Sequence, residues 1–219
     1  MRINEQGRSM IEMLGVLAIV GVLSVGGIAG YSKAMNKFKA NKVIDQVNML
    51  STNIRTMYSS QRSYKGLNNG TAVELGLAPS EMYDPTDTET GSTRSLVNAF
   101  AGNVYIKTGK TKGSDDGAYI VVLDGIPSAA CITLVTTDWG GESGSGLAGF
   151  YVQAQAAETD KADSSFSILD EADLSTSESA GSAGTVVVPG SGDVSMPFSL
   201  TDANTTCKAA NNLIAWKFQ

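Results

Sequence analysis

The N-terminal stretch constrains this chain more than any other part of it. A short polar segment ends at Gly7, and twenty uncharged residues run from Met13 to Ser32. About twenty apolar residues are enough to cross a bilayer as one α-helix. One carboxylate, Glu12, stands at the start of the run, where a charged side chain is expensive and usually functional. The sequence therefore predicts a membrane helix with a functional carboxylate at its beginning.

The order of these features differs from that of an ordinary secretory signal. A secretory signal carries its apolar core, of about 7–15 residues, before the cleavage site. Here the expected cut precedes the apolar run, so the membrane helix stays in the mature protein. This order resembles the leader of type IV prepilins, in which a dedicated peptidase cuts after a glycine and the fifth mature residue is a glutamate. Gly7 and Glu12 carry the match, whereas Arg8 stands where the family usually has an apolar residue.

A second pattern follows the apolar run. From Met35 to Met57, apolar side chains recur at mostly three- and four-residue steps, which is typical of a helix with one apolar stripe. No proline interrupts residues 8–60. We therefore predict one helix over 8–60, apolar all round at 8–32 and amphipathic at 33–60. The stripe comprises Met35, Phe38, Val43, Val47, Leu50, Ile54 and Met57.

Residues 61–219 are expected to form one globular domain, rich in strands and turns. A helical turn is predicted at 71–75, before Gly76, and Ser128 is the candidate N-cap of a short helix carrying Cys131. Residues 109–117 have the composition of a hairpin turn, and 140–149 and 170–184 that of exposed loops. Strands are predicted at 103–108, 118–123, 150–152, 166–169, 185–188 and 213–218.

Composition argues against several classes of function. The net charge is −6, which disfavours general nucleic-acid binding by bulk electrostatics. The chain has no histidine, which removes the commonest general base and the commonest transition-metal ligand. Lys110 and Thr111 follow a glycine as in a P-loop, but the first glycine of that motif is missing. We therefore expect no catalytic residues, no cofactor and no metal. The loosely spaced Asp84, Asp87 and Glu89 are read as a solvated loop, with weak calcium binding as the alternative.

The globular part extends the resemblance, most closely to type IVb pilins and to the S-pilins of conjugative thin pili. The segment 57–67 with Ala78-Pro79 is similar to their αβ-loop. Ile126-Pro127 before Cys131 is similar to the helix that bears their first disulfide cysteine. Cys207 and the closing segment 211–218 are similar to their second cysteine and last strand. This resemblance implies an α+β fold, with a long N-terminal helical spine packed on an antiparallel sheet, and leader, helix and head at 1–7, 8–60 and 61–219.

The two cysteines are expected to form a disulfide, because an exported domain meets an oxidising compartment. A bridge between Cys131 and Cys207 would stabilise the domain by about 4 kcal/mol in the chain-entropy model. The alternative is two unrelated buried thiols.

The resemblance also implies a function. The chain would be inserted in the inner membrane, cut by the prepilin peptidase and polymerised by an assembly platform and ATPase into an extracellular helical homo-oligomer. Such a filament would serve adhesion, aggregation or conjugation, and Glu12 would set subunit register by meeting a neighbour's new amine on Arg8. A minor pilin or a type II secretion pseudopilin is the closest alternative. A single-span anchored binding domain that never polymerises is the alternative from another class.

Glycines and lysines of the helix raise two further expectations. Gly21, Gly26, Gly27 and Gly30 lie in the apolar half, and the last three include a GxxxG spacing that lets helix backbones approach closely in lipid. Gly26-Gly27 is also the point of easiest bending. The lysines would hold the C-terminal side in the cytoplasm by the positive-inside rule. Because the leader is the more specific signal, we expect export, with the lysines contacting lipid headgroups or a neighbour's acidic surface. These lysines are Lys33, Lys37, Lys39 and Lys42.

The leader generates a direct prediction about processing. The mature chain should begin at Arg8, with the N-methylation that the family carries, and Gly7→Val should block the cut because a β-branched side chain does not fit a site shaped for glycine. N-terminal sequencing and intact mass of the surface protein measure this. A mature chain that begins at Met1, or one cut beyond Ser32, would contradict the pilin interpretation.

Overall fold

The computed structural model describes residues 10–89, 91, 94–111, 113–140, 146–154, 179–180, 184–187 and 196–219, with backbone only for 179–180 and 184–187. The chain divides into two units, Met1–Phe38 and Lys39–Gln219, which we treat separately. Helix α1, Met10–Tyr58, contributes to both. The first unit contains its apolar half, and the second unit, called the head below, contains the rest of the helix and a sheet.

The described strands form one antiparallel sheet of seven strands, with the order β1-β2-β3-β7-β4-β6-β5. The last strand in the sequence, β7, lies between β3 and β4 and pairs with both. The C-terminal segment therefore completes the centre of the sheet. The strands are β1 (Leu96–Val97), β2 (Asn103–Thr111), β3 (Ser114–Pro127), β4 (Leu147–Ala154), β5 (Ser179–Ala180), β6 (Gly184–Val187) and β7 (Asn211–Phe218).

Five of the six predicted strands correspond to strands of the structure, and β2, β3, β4 and β7 are longer than the apolar patterns that predict them. The predicted hairpin is confirmed, but its turn is shorter than 109–117, because β2 continues to Thr111 and β3 begins at Ser114, with a register shift between Gly109 and Thr111. Lys110 thus lies near the end of a strand, and its Nζ is 3.9 Å from an Asp115 carboxylate oxygen. Backbone ladder bonds need no apolar side chains, so a polar ribbon can extend well past the pattern that predicts it.

The structure contradicts part of each predicted loop where it describes the residues. Leu147 to Gly149 belong to β4 and pair with β7, so the predicted loop at 140–149 is wrong at its end. Ser179–Ala180 and Gly184 are strand residues, against the predicted loop at 170–184. The strand predicted at 185–188 corresponds to β6, Gly184–Val187. The strand predicted at 166–169 lies outside the described residues.

The head is held together by one buried face of α1. Val43, Val47, Leu50 and Ile54 are at most 1 % exposed and belong to the same apolar cluster as the strands. Burying a side chain of this size contributes about 1.5–3 kcal/mol. The prediction that the whole stripe is buried is wrong for two of its outer members, because Phe38 is 63 % exposed and Met57 is 45 % exposed. Ala40, Gln46, Ser51 and Tyr58 are buried instead.

Two polar contacts tie this helical face to the sheet. The Ser51 and Tyr119 hydroxyls share a buried hydrogen bond of 2.7 Å, and burial raises the pKa of the Tyr119 phenol. The Arg55 guanidinium lies 5.3 Å from the centre of the Phe218 ring. Gly146 borders this contact, since a Cβ added there would lie 2.3 Å from Arg55 Nη2. Its φ of +66° also favours glycine at this position. The helix, β3, β7 and the start of β4 therefore meet at one packed junction.

The segment between α1 and the sheet is anchored by a buried amide. Helix α2, Asn69–Glu74, ends one residue before Leu75, the C-cap, and Gly76 follows at φ +65°, as predicted for this turn. The Asn69 Nδ2 donates to the carbonyl oxygens of Arg94 and Val104, and its Oδ1 accepts from Ile106 N, all at 2.8–2.9 Å. The Asn69 side chain thus joins this segment to β2.

The two cysteines form the predicted disulfide, with Cα atoms 5.8 Å apart and both residues buried. It joins α3, Ser128–Val135, to the C-cap of α4, Leu200–Thr206. The predicted Ser128 N-cap is wrong, because Pro127 occupies that position without a side-chain cap. The Ser128 hydroxyl instead donates to the Cys207 carbonyl oxygen at 2.5 Å, so it supports the same junction. Trp139 and Trp216 are buried edge to face, 5.0 Å apart, as core aromatics.

The disulfide generates a stability prediction. Cys207→Ser should lower the free energy of unfolding by about 2–5 kcal/mol, since it removes the cross-link from the unfolded chain. Denaturant unfolding of the detergent-solubilised subunit measures this. The double variant Cys131→Ser/Cys207→Ser is the matched control and should unfold at a similar denaturant concentration. Cysteines that react with a thiol reagent in the native protein, before any reductant is added, would overturn the prediction.

Candidate assembly surface

The first unit presents an apolar helical surface without cover. Every residue of α1 from Met10 to Ala34 is exposed, and the large apolar side chains among them are 48–86 % exposed. The mean hydropathy reaches 2.2 over an 18-residue window, none of it buried. By length and composition the helix could cross a bilayer. An apolar surface of this size calls for lipid or other apolar helices around it.

Glu12 lies in the first turn of α1. The side chain is exposed, as are its neighbours Ile11 and Met13. A carboxylate at this end of a helix is favourable, because the unpaired N–H groups there carry partial positive charge. The other two predicted processing and assembly residues, Gly7 and Arg8, lie outside the described residues.

The glycines of the apolar half pack against nothing in the described part of the chain. A Cβ added at Gly21, Gly26, Gly27 or Gly30 would meet no other atom within 4 Å. The helix also runs on through Gly26-Gly27. Glycine is about 1 kcal/mol less favourable than alanine inside a helix. Packing among the described residues does not explain this cost, whereas a close approach by another molecule would.

The four lysines after the apolar run do not behave alike. Lys42 Nζ lies 3.2 Å from Glu81 Oε2, and the Gln46 amide donates to the other oxygen of that carboxylate at 3.2 Å. Lys39 Nζ lies 5.7 Å from the centre of the Phe100 ring. Lys39 and Lys42 therefore both have partners within the head. Lys33 and Lys37 are exposed.

The acidic loop at 84–89 uses its carboxylates to hold its own backbone. Asp87 accepts hydrogen bonds from Ser95 N at 2.6 Å and from Glu89 N at 2.9 Å. The Ser95 N–H is the largest cause that holds the pKa of Asp87 below its usual range. The described residues contain no group of three or more side chains suited to a metal ion. These hydrogen bonds explain the acidic cluster, because its carboxylates fix the backbone of the loop. We call the Asp87 carboxylate and its two backbone donors the loop staple.

The sequence comparisons find a family model and curated relatives that are named as pilus proteins. The family model described as "PilS N terminal" matches residues 37–189. The chain is 26 % identical over 136 residues to the "Major structural subunit of bundle-forming pilus" of Escherichia coli O127:H6 (strain E2348/69 / EPEC), covering 62 % of this chain and 66 % of that protein. It is 24 % identical over 136 residues to the "Toxin coregulated pilin" of Vibrio cholerae, covering 61 % of this chain and 58 % of that one. The chain thus spans about two thirds or less of the length of these curated relatives.

Two solved structures have similar backbones. One is TcpA, a type IV pilin from the Vibrio cholerae El Tor biotype, with a TM-score of 0.49 and 21 % identity, covering 83 % of this chain and 99 % of that one. The other is a type IV b pilin from Salmonella typhi, with a TM-score of 0.49 and 14 % identity, covering 80 % and 97 %.

The loop staple generates a prediction about pH. Because the fold lowers the pKa of Asp87, its ionised form stabilises the head above the ordinary aspartate pKa of 3.8, and this contribution is lost as pH falls through the lowered value. Asp87→Asn should therefore melt at a lower temperature than the wild type at pH 7, and the difference should shrink below about pH 4. Thermal melting of both proteins between pH 7 and pH 3 measures this. A difference that stays constant over that range would show that the carboxylate charge is irrelevant.

Proposed function

This chain belongs to the PilS family and is a type IV pilin, a structural pilin subunit, and we propose that it polymerises through its N-terminal helix into a type IV pilus. The observation that carries the proposal is the uncovered apolar half of α1 with a carboxylate in its first turn. Lipid before assembly, and the same helices of other subunits after it, would supply the apolar surroundings that this surface requires.

The proposed sequence of events begins in the inner membrane. The prepilin peptidase cuts after Gly7 on the cytoplasmic side, while α1 holds the subunit in the bilayer and the head lies on the exported side. An assembly platform driven by an ATPase then moves subunits into an extracellular filament. The disulfide between Cys131 and Cys207 supports the exported position of the head, because such bonds persist in oxidising compartments.

Glu12 is proposed to set the register between subunits. The cut creates a new amine on Arg8, four residues before Glu12 in the sequence. A carboxylate left unpaired in the apolar core of a filament would be costly, since a charge at the centre of a membrane helix costs about 2.5–3.5 kcal/mol on insertion scales. If the amine of an incoming subunit meets a neighbour's Glu12, both charges are neutralised, and a shift in register would leave both unpaired. The pairing therefore favours one axial position.

The glycines are proposed to serve the contact between helices. Gly26 and Gly30 lie four residues apart on one side of α1, with open space where side chains would be. Small residues at this spacing let two helix backbones approach closely. Gly21 and Gly27 would widen the contact, and Gly26-Gly27 would also allow the helix to bend where a neighbour requires it.

The head would form the outer surface of the filament and carry its contacts with the surroundings. The relatives are named as pilus subunits, one of them the major subunit of a bundle-forming pilus. We accordingly propose a major subunit whose filament serves adhesion, aggregation or conjugation. The proposal assigns no catalysis, no cofactor and no direct nucleic-acid binding to this chain.

Glu12 separates a filament subunit from a simple membrane anchor. Glu12→Val removes a charge from an apolar segment, so membrane insertion should be unharmed, and cutting at Gly7 should continue. The unpaired amine left in each contact should cost several kcal/mol, because breaking a buried pair leaves one charge uncompensated. The expected result is a processed, stable subunit with few or no filaments. Electron microscopy of sheared cell-surface material and immunoblots of the membrane fraction measure this.

Glu12→Asp is the matched control, since it keeps the charge and shortens the side chain by one methylene. It should retain more filaments than Glu12→Val at equal subunit abundance. Wild-type filament numbers in the Glu12→Val strain would favour the non-polymerising anchor instead.

A further inference from the structure

We propose that Lys33 and Lys37 bind the phosphates of anionic phospholipid headgroups on the exported face of the membrane, and so set the depth of α1 before assembly. This inference rests on the membrane stage of the proposed function. It names a lipid partner and a second polar anchor for the helix, opposite Glu12.

The two lysines are placed as a pair at the end of the apolar run. Lys33 follows directly after Ser32, and Lys37 lies four residues further on. Residues four apart share one face of a helix, with Cβ atoms about 5–6 Å apart. Both side chains are exposed, and none of the ion pairs found among the described residues includes either of them. The pair therefore offers two adjacent cations on one side of α1.

Tyr31 adds a second interfacial feature next to Lys33. It is 65 % exposed, two residues before Lys33. Tyrosine is enriched where a membrane helix meets the headgroup layer, because its ring is apolar and its hydroxyl polar. Long lysine side chains at helix ends likewise keep the stem in the apolar layer and the ammonium among the headgroups. Tyr31, Lys33 and Lys37 thus all suit the end of the helix that meets the headgroups.

The spacing to Glu12 matches the thickness of the membrane. Lys33 lies 21 residues after Glu12, which is about 31 Å along a helix with a rise of about 1.5 Å per residue. The hydrocarbon core of a bilayer is about 30 Å thick. When Lys33 lies in one headgroup layer, Glu12 therefore reaches the opposite one. The lysine anchor would hold Glu12 at the cytoplasmic edge, where the cut at Gly7 is proposed to occur.

The surrounding charges favour lipid over a neighbouring subunit as the partner. No acidic residue occurs between Glu12 and Asp45, so the corresponding stretch of a second copy offers no carboxylate. Lys39 and Lys42, the next two lysines, already contact Phe100 and Glu81 in the head. Only the two lysines adjoining the apolar run are left for a headgroup. Their position continues the apolar surface that lipid must cover.

The test measures lipid binding by the unassembled full-length subunit. The chain is purified in an uncharged detergent, and native mass spectrometry measures its affinity for phosphatidylglycerol and for phosphatidylcholine. Lys33→Gln/Lys37→Gln is the test variant. Lys39→Gln/Lys42→Gln is the matched control, because it removes the same charge from the same helix. Each lysine near an anionic surface strengthens binding about fivefold, so the test variant should lose up to about thirtyfold in phosphatidylglycerol affinity.

The inference requires the control variant to keep most of that affinity and all variants to bind phosphatidylcholine equally. Raising the salt concentration should weaken the preference of the wild type for phosphatidylglycerol, because salt screens exposed charges. Equal losses in the two double variants, or no preference in the wild type, would overturn it. Unchanged lipid binding with fewer filaments in the test variant would also overturn it and assign the lysines to a neighbouring subunit. Since the assay uses unassembled protein, a failure to polymerise would count against the proposed function without affecting this result.

Discussion

The buried face of α1 between Ala40 and Tyr58 is the contact on which the head depends. Strands from distant parts of the sequence, β3 and β7, meet this face through Tyr119 and Phe218. The disulfide and Asn69 fix further segments around the same sheet. Without the helix, the apolar side of the sheet would be open to water, and burial of that surface is the main favourable term in folding.

The same helix carries a second, opposite constraint. From Met13 to Ser32 the helix is uncharged and mostly apolar, yet none of the described residues covers it. The head buries only the half of α1 that belongs to it. The other half remains available for contacts with lipid or other molecules. Membrane insertion followed by polymerisation, as proposed above, would supply these contacts.

The amino-acid sequence predicts much of this division between the apolar half of α1 and the head. The apolar run, Glu12 and the amphipathic pattern predicted one long helix, and the cysteine pair was predicted together with the strands that end the chain. The errors share a physical cause. Phe38 and Met57 fit the helical period, but the sheet extends over only part of that stripe. The ends of β2, β3 and β4 are polar or glycine-rich, and only pairing with a neighbouring strand makes them strands.

Hydrophobic periodicity and charge placement are local properties, so the amino-acid sequence alone predicts an apolar helix with one carboxylate and a head that can form a disulfide. Three features follow only from the folded chain: β7 lies in the centre of the sheet, Asn69 is a buried anchor, and Ser128 supports the disulfide instead of capping a helix. The tertiary structure also separated four similar lysines into two that contact the head and two that remain exposed. Such outcomes depend on which side chains distant strands bring within reach, and no local pattern contains that information.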